Sequence, residues 1–126
     1  MNHLTASPLD FAAMRRQLGD DDELLSDVIA LFLSDYPGRL EALKAALHAR
    51  DARAVRTAAH TIKGSASNFC ASRVVHTAAA LEAASELEDL AVVSGYVDSL
   101  TAEVEQLADA LRECQTEKRR DGARSI

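Results

Sequence analysis

Residues 90–111 read LAVVSGYVDSLTAEVEQLADAL, and the apolar members Leu90, Val93, Val97, Leu100, Val104, Leu107 and Leu111 recur in an unbroken alternation of three and four. That period sets all of them on one helical stripe, and a stripe this long is ordinarily buried against other helices. Gly95 weakens the segment slightly, by about 1 kcal/mol relative to alanine. The reading is a long amphipathic helix, and it makes the chain all-α.

The same period continues upstream. Ser72 is expected to cap a helix carrying Val74, Val75, Ala78, Leu81 and Ala84, joined to the last one by the polar stretch 85–89. Asp51 is expected to cap a helix running to about Phe69, with Val55, Ala59, Ile62, Ala66 and Phe69 on one stripe. Leu40, Leu43 and Leu47 mark a helix over about 38–50. Pro37 is expected to stop the helix before it, which opens at the capping-box-like pair Asp20 and Glu23 and carries Leu25, Val28, Ile29, Phe32 and Tyr36. Ser7, Pro8 and Asp10 read as cap, first position and third position of an initial helix with Phe11, Met14 and Leu18, ended by Gly19. Short connections force neighbours antiparallel, so the expected fold is an up-and-down antiparallel four-helix bundle with two additional N-terminal helices. Its expected limits are an N-terminal tail at 1–6, the bundle domain at 7–115 and a flexible basic tail at 116–126 that includes Lys118, Arg119 and Arg120.

Composition agrees. A length of 126 residues with 48% hydrophobic content suits one domain and one core, and 4% aromatics with no tryptophan suits close-packed helices better than a sandwich or barrel. Twenty acidic residues against 14 Lys and Arg give a net charge of -6, which excludes nucleic-acid binding by bulk charge. No apolar run approaches the roughly 18 residues needed to span a bilayer, and the start MNHLTASPLDF has no cationic segment followed by an apolar one. A soluble, cytoplasmic monomer is expected, and the initiating Met1 favours a stand-alone protein. Cys70 and Cys114 have no metal-site spacing and read as reduced, isolated thiols.

The helix after Asp51 carries chemistry on its polar side. At about 100 degrees per residue, Arg53, Arg56, Thr57, Lys63, Gly64 and Ser67 fall within about 60 degrees of His60. In an acidic protein that strip holds an imidazole, three cations, two hydroxyls and a glycine, with no carboxylate of its own, which is a face for an anion. A lone histidine there would be ordinary solvated surface; its company is the signal. Neutral imidazole offers a nucleophilic nitrogen near neutral pH. Lys63, on the next turn, can balance added phosphate charge. Gly64 costs helix stability and leaves room for close approach of another surface.

The segment Ala59-His60-Thr61-Ile62-Lys63-Gly64-Ser65-Ala66 resembles the A-H-x-L-K-G-S-A signature of histidine-containing phosphotransfer (HPt) domains. Gly19-Asp20, Phe32 through Pro37, Asp51 and Leu81-Glu82 also fall where that family has similar residues. The resemblance implies a phosphorelay intermediate: His60 takes a phosphoryl group from the aspartyl phosphate of a response-regulator receiver domain and passes it to another receiver. It further implies that Lys63 steadies the phosphate and Gly64 clears the docking surface; the face shared with His60 adds Arg53, Arg56, Thr57 and Ser67 as supporting or docking residues. Partners would be receiver domains and a hybrid sensor histidine kinase. The chain would be a carrier and not an enzyme, with no cofactor or metal of its own, the magnesium ion belonging to the receiver. Many members have glycine where Ser67 and Cys70 stand, which puts the backbone near the helix end at Cys70 in question.

Other classes have less support. A di-iron bundle needs Glu-x-x-His pairs, and the residues three before His48, His60 and His76 are Ala45, Thr57 and Arg73. His3, His48 and His76 read as surface or satisfied histidines. No nucleophile elbow or phosphate-cradling glycine loop is present. The alternative is a non-phosphorylated helical module that binds and inhibits a receiver or sensor kinase.

Overall fold

The computed structural model describes residues 9–87 and 89–124, with side chains through Gln115. Among these residues there are five helices and no strand: α1 (Phe11–Gln17), α2 (Asp22–His48), α3 (Ala52–Ser67), α4 (Ser72–Glu86) and α5 (Leu90–Arg124). α2 packs on α3 and α5, α3 on α4, and α4 on α5, which closes an antiparallel four-helix ring. α1 is added at one side, with Met14 fully buried and Leu9 nearly so.

The bundle therefore has one additional N-terminal helix, not two. Pro37 lies inside α2 and does not end it. An internal proline costs about 3 kcal/mol because it has no N–H for the carbonyl four residues earlier, here Leu33. The buried positions Leu25, Ile29, Phe32, Leu40, Leu43 and Ala46 hold one phase across it, so an unbroken helix lays both halves on the same core. Pro37 sits on the exposed side, where water can serve the freed carbonyl. Just before it, the Tyr36 ring stacks on Phe32 at 5.7 Å. The Tyr36 hydroxyl accepts a 2.6 Å hydrogen bond from Arg112 of α5.

Caps differ from expectation by small shifts with clear causes. Asp10, and not Ser7, caps α1, its side chain accepting from Ala13 N at 3.0 Å; Ser7 and Pro8 lie outside the described residues. Asp21 caps α2 in place of Asp20, which follows Gly19 in the left-handed region with φ of 57°. Asp51 caps α3 as read, accepting from Ala54 N at 3.0 Å. Ala71 occupies the α4 cap with no side-chain bond, and Ser72 is the first helical residue. Ser85 belongs to α4, not to a loop: it is 1% exposed and its hydroxyl donates to the Glu82 carbonyl at 2.8 Å.

The two diagnostic stripes are core. Val55, Ala59, Ile62, Ala66 and Phe69 are buried, as are Val93, Val97, Leu100, Val104, Leu107 and Leu111; Leu90, the first of its stripe, is exposed. α3 ends at Ser67, yet Phe69 still packs edge-to-face on Phe32 at 5.3 Å. Helical backbone carries α5 beyond residue 115 to Arg124, through Glu, Lys and Arg residues that favour helix without an apolar stripe. The 1–6 tail lies outside the described residues.

Candidate functional site

α3 is held at both ends. Asp51 caps its start, and at its finish Gln17 of α1 donates from Nε2 to the Ser67 carbonyl at 3.0 Å while Cys70 Sγ donates to Gln17 Oε1 at 3.2 Å. Cys70 has φ of 52°, so this residue does occupy the left-handed conformation that glycine would ease. With its buried stripe turned to the core, α3 presents His60 outward: the side chain is 70% exposed.

One carboxylate from another helix completes the arrangement. Glu82 of α4 lies 3.0 Å through Oε1 from His60 Nδ1 and 2.6 Å through Oε2 from the Lys63 ammonium, and its side chain is 19% exposed. Burial pushes the Glu82 carboxyl up, but the hydrogen bonds and charges of Lys63 and His60 outweigh this and hold it below the ordinary carboxylate value. Glu82 is thus ionised near neutral pH and can only accept. His60 Nδ1 is accordingly the donor, and in the neutral ring Nε2 is left as the unprotonated nitrogen. One turn along, Arg56 meets Glu86 of α4 at 3.4 Å between exposed side chains.

The strip's freedom from acid is therefore a property of α3 alone. Glu82 and Glu86 come to it from α4, and neither was a sequence-level site candidate. The signal that could have found them is the short turn between α3 and α4, which sets residues equidistant from Ala71 side by side: 60 with 82, and 56 with 86.

The remaining candidates divide. The Ser67 hydroxyl donates to the Gly64 carbonyl at 2.8 Å, so its proton serves the helix end. A Cβ placed on Gly64 would meet nothing within 4 Å. The glycine does not relieve crowding of the ring inside this chain; any clearance it gives is toward an approaching surface. Arg53 and Thr57 are exposed and, with Thr61, Ala58, Gly38 and Arg39, line a groove of about 700 Å³ between α2 and α3 beside His60. A smaller hollow on the same seam carries Leu31, 62% exposed, beside Ser65 and Asn68. Among the described residues no group of three or more His, Cys, Asp or Glu could hold a metal ion, and no helix is long and apolar enough to cross a membrane.

The Hpt domain family matches residues 27–118, a span that includes Arg56, His60, Lys63, Glu82 and Glu86. Histidine-containing phosphotransfer protein B (HptB) of Pseudomonas aeruginosa is similar in structure, with TM-score 0.76 and 26% identity over 90% of this chain and 98% of that one. The HPT domain of the Hpt sensor hybrid histidine kinase from Shewanella has TM-score 0.75 over 88% of this chain and 96% of that one; at 17% identity it is a likeness of fold. Comparison with curated proteins gives no match.

Proposed function

The chain belongs to the Hpt domain family, and from that premise we propose that it carries a phosphoryl group on His60 between receiver domains of a two-component phosphorelay. One observation carries the reading: His60 has its ring in solvent and its Nδ1 tied to an ionised Glu82 at 3.0 Å. The Nε2 lone pair attacks the phosphorus of a receiver's aspartyl phosphate. A P–N bond forms, the P–O bond breaks, and its electron pair returns to the aspartate carboxylate. The Nδ1 proton stays on the ring throughout, and Glu82 balances the positive charge the ring acquires. The product keeps a good leaving group, so the reverse transfer to a second receiver uses the same geometry.

Phosphoryl transfer needs in-line positioning and charge neutralisation above all. In this reading the receiver supplies the magnesium ion and most of the catalytic groups, and this chain is carrier and substrate with no cofactor of its own. Lys63 lends positive charge beside the ring through its ion pair with Glu82. A receiver covering His60 with a standard footprint of about 800 Å² per partner also reaches the α2–α3 seam. Leu31 supplies apolar contact there, and Arg53 and Arg56 stand at the rim.

The test is intact mass at neutral to mildly alkaline pH after incubation with magnesium-loaded, phosphorylated receivers. A gain of about 80 Da, one phosphoryl group, that acid removes and His60→Gln abolishes is the expected result. That substitution, at an exposed helix position, should leave the melting temperature within about 2 °C of wild type. Binding to a receiver with no gain in mass would overturn the carrier reading in favour of a non-phosphorylated inhibitory module.

A further inference from the structure

The two cations nearest His60 on the α4 side are held very differently. Lys63 is clamped to Glu82 at 2.6 Å, and that carboxylate is 19% exposed. Drawing Lys63 away would leave a largely buried carboxylate short of a partner, which is costly. Arg56 meets Glu86 at 3.4 Å, with side chains 43% and 62% exposed, the kind of pair that solvent and salt loosen readily.

Arg56 is also within reach. Helical side chains lean toward the N-terminus, so the ring of His60 covers the turn that Arg56 and Thr57 begin. Nδ1 is committed to Glu82, which leaves Nε2 to carry the phosphoryl group. Its three oxygens bear close to two negative charges and present a multidentate acceptor that a planar guanidinium fork fits better than an ammonium does. A single exposed Glu86 carboxylate is a poor competitor for that fork.

We infer that Arg56 is the mobile cation of this site, paired with Glu86 while His60 is free and transferred to the phosphoryl oxygens once His60 carries them. Lys63 then remains with Glu82 and holds the ring, and Glu86 sets how readily the phosphorylated state is reached. The inference deepens the proposed carrier role and rests on His60 bearing a phosphoryl group.

The experiment loads the full chain chemically with potassium phosphoramidate, identifies the His60 resonance by phosphorus NMR against His60→Gln, and titrates its shift with pH. A cation on the phosphoryl oxygens favours the dianion, so Arg56→Gln should raise the titration midpoint by about 0.5 to 1 pH unit, and Lys63→Gln by less. Glu86→Gln should lower the midpoint when Arg56 is present and do nothing in the Arg56→Gln background, because it acts by releasing that side chain. An unchanged midpoint in Arg56→Gln, a larger shift in Lys63→Gln, or an equal effect of Glu86→Gln in both backgrounds would overturn the inference. Should phosphorylated receivers fail to load His60 while phosphoramidate succeeds, the relay reading falls and Arg56 is judged on the midpoints alone. A His60 that phosphoramidate leaves unlabelled overturns the inference outright.

Discussion

Glu82 decides what His60 can do. Without it the imidazole would exchange tautomers freely in water, and Nε2 would be the unprotonated nitrogen only part of the time. Glu82→Gln keeps the shape but removes the charge that balances a phosphorylated ring; phosphoryl acceptance from a receiver should fall about tenfold, roughly 1.4 kcal/mol of barrier, with receiver affinity unchanged. The same residue predicts a pH signature. Its carboxyl is held below the ordinary value of 4.5 by Lys63 and His60 against the opposing push of burial. The stability it contributes is therefore complete above that value and lost as pH falls through the lower folded one. Wild type should exceed Glu82→Gln by about 1 kcal/mol in urea unfolding at pH 7, and the gap should close on acidification below pH 4.5. A gap that stays constant down to pH 3 would mean that Glu82 makes no net ion pair.

At the scale of elements, helix ends were harder to read than helix faces. The faces follow from period alone, and each diagnostic stripe of α3 and α5 is buried apart from Leu90. Ends depend on individual backbone conformations. α2 closes in a Schellman turn, with Arg50 N bonded to the Leu47 carbonyl at 2.9 Å and Asp51 N to the Ala46 carbonyl at 3.1 Å. The left-handed residue it requires is Arg50, φ 55°, where glycine would be unstrained. Arg50→Gly should therefore stabilise the protein by about 1 kcal/mol in urea unfolding, an unusual sign for a glycine substitution. Destabilisation would show that the Arg50 side chain contributes more than its backbone strain costs. Pro37 shows the converse limit. Proline is a strong local stop signal, yet the shared phase of Leu25 to Phe32 with Leu40 and Leu43 overrides it.

At the scale of the molecule, closing α2 to α5 into a ring fixes α3 between α2 and α4, and so gives His60 two unlike flanks. The α4 side holds Glu82, the acid that orients it; the α2 side offers a groove and the exposed Leu31. If a receiver docks across the α2 side, Leu31→Asp should weaken receiver binding at least tenfold by calorimetry while shifting the melting temperature little, because the side chain is already 62% exposed. Undiminished binding would place the receiver on the α4 flank. The all-α class, the core stripes, the Asp51 cap and the His60 strip were legible in the sequence by itself, because helical period and capping are local rules acting over a few residues. Continuity through Pro37 and the arrival of Glu82 and Glu86 were decided only by the tertiary structure. Both depend on packing between segments far apart in sequence, where burial outweighs a local breaker and a short interhelical turn brings position 82 beside position 60.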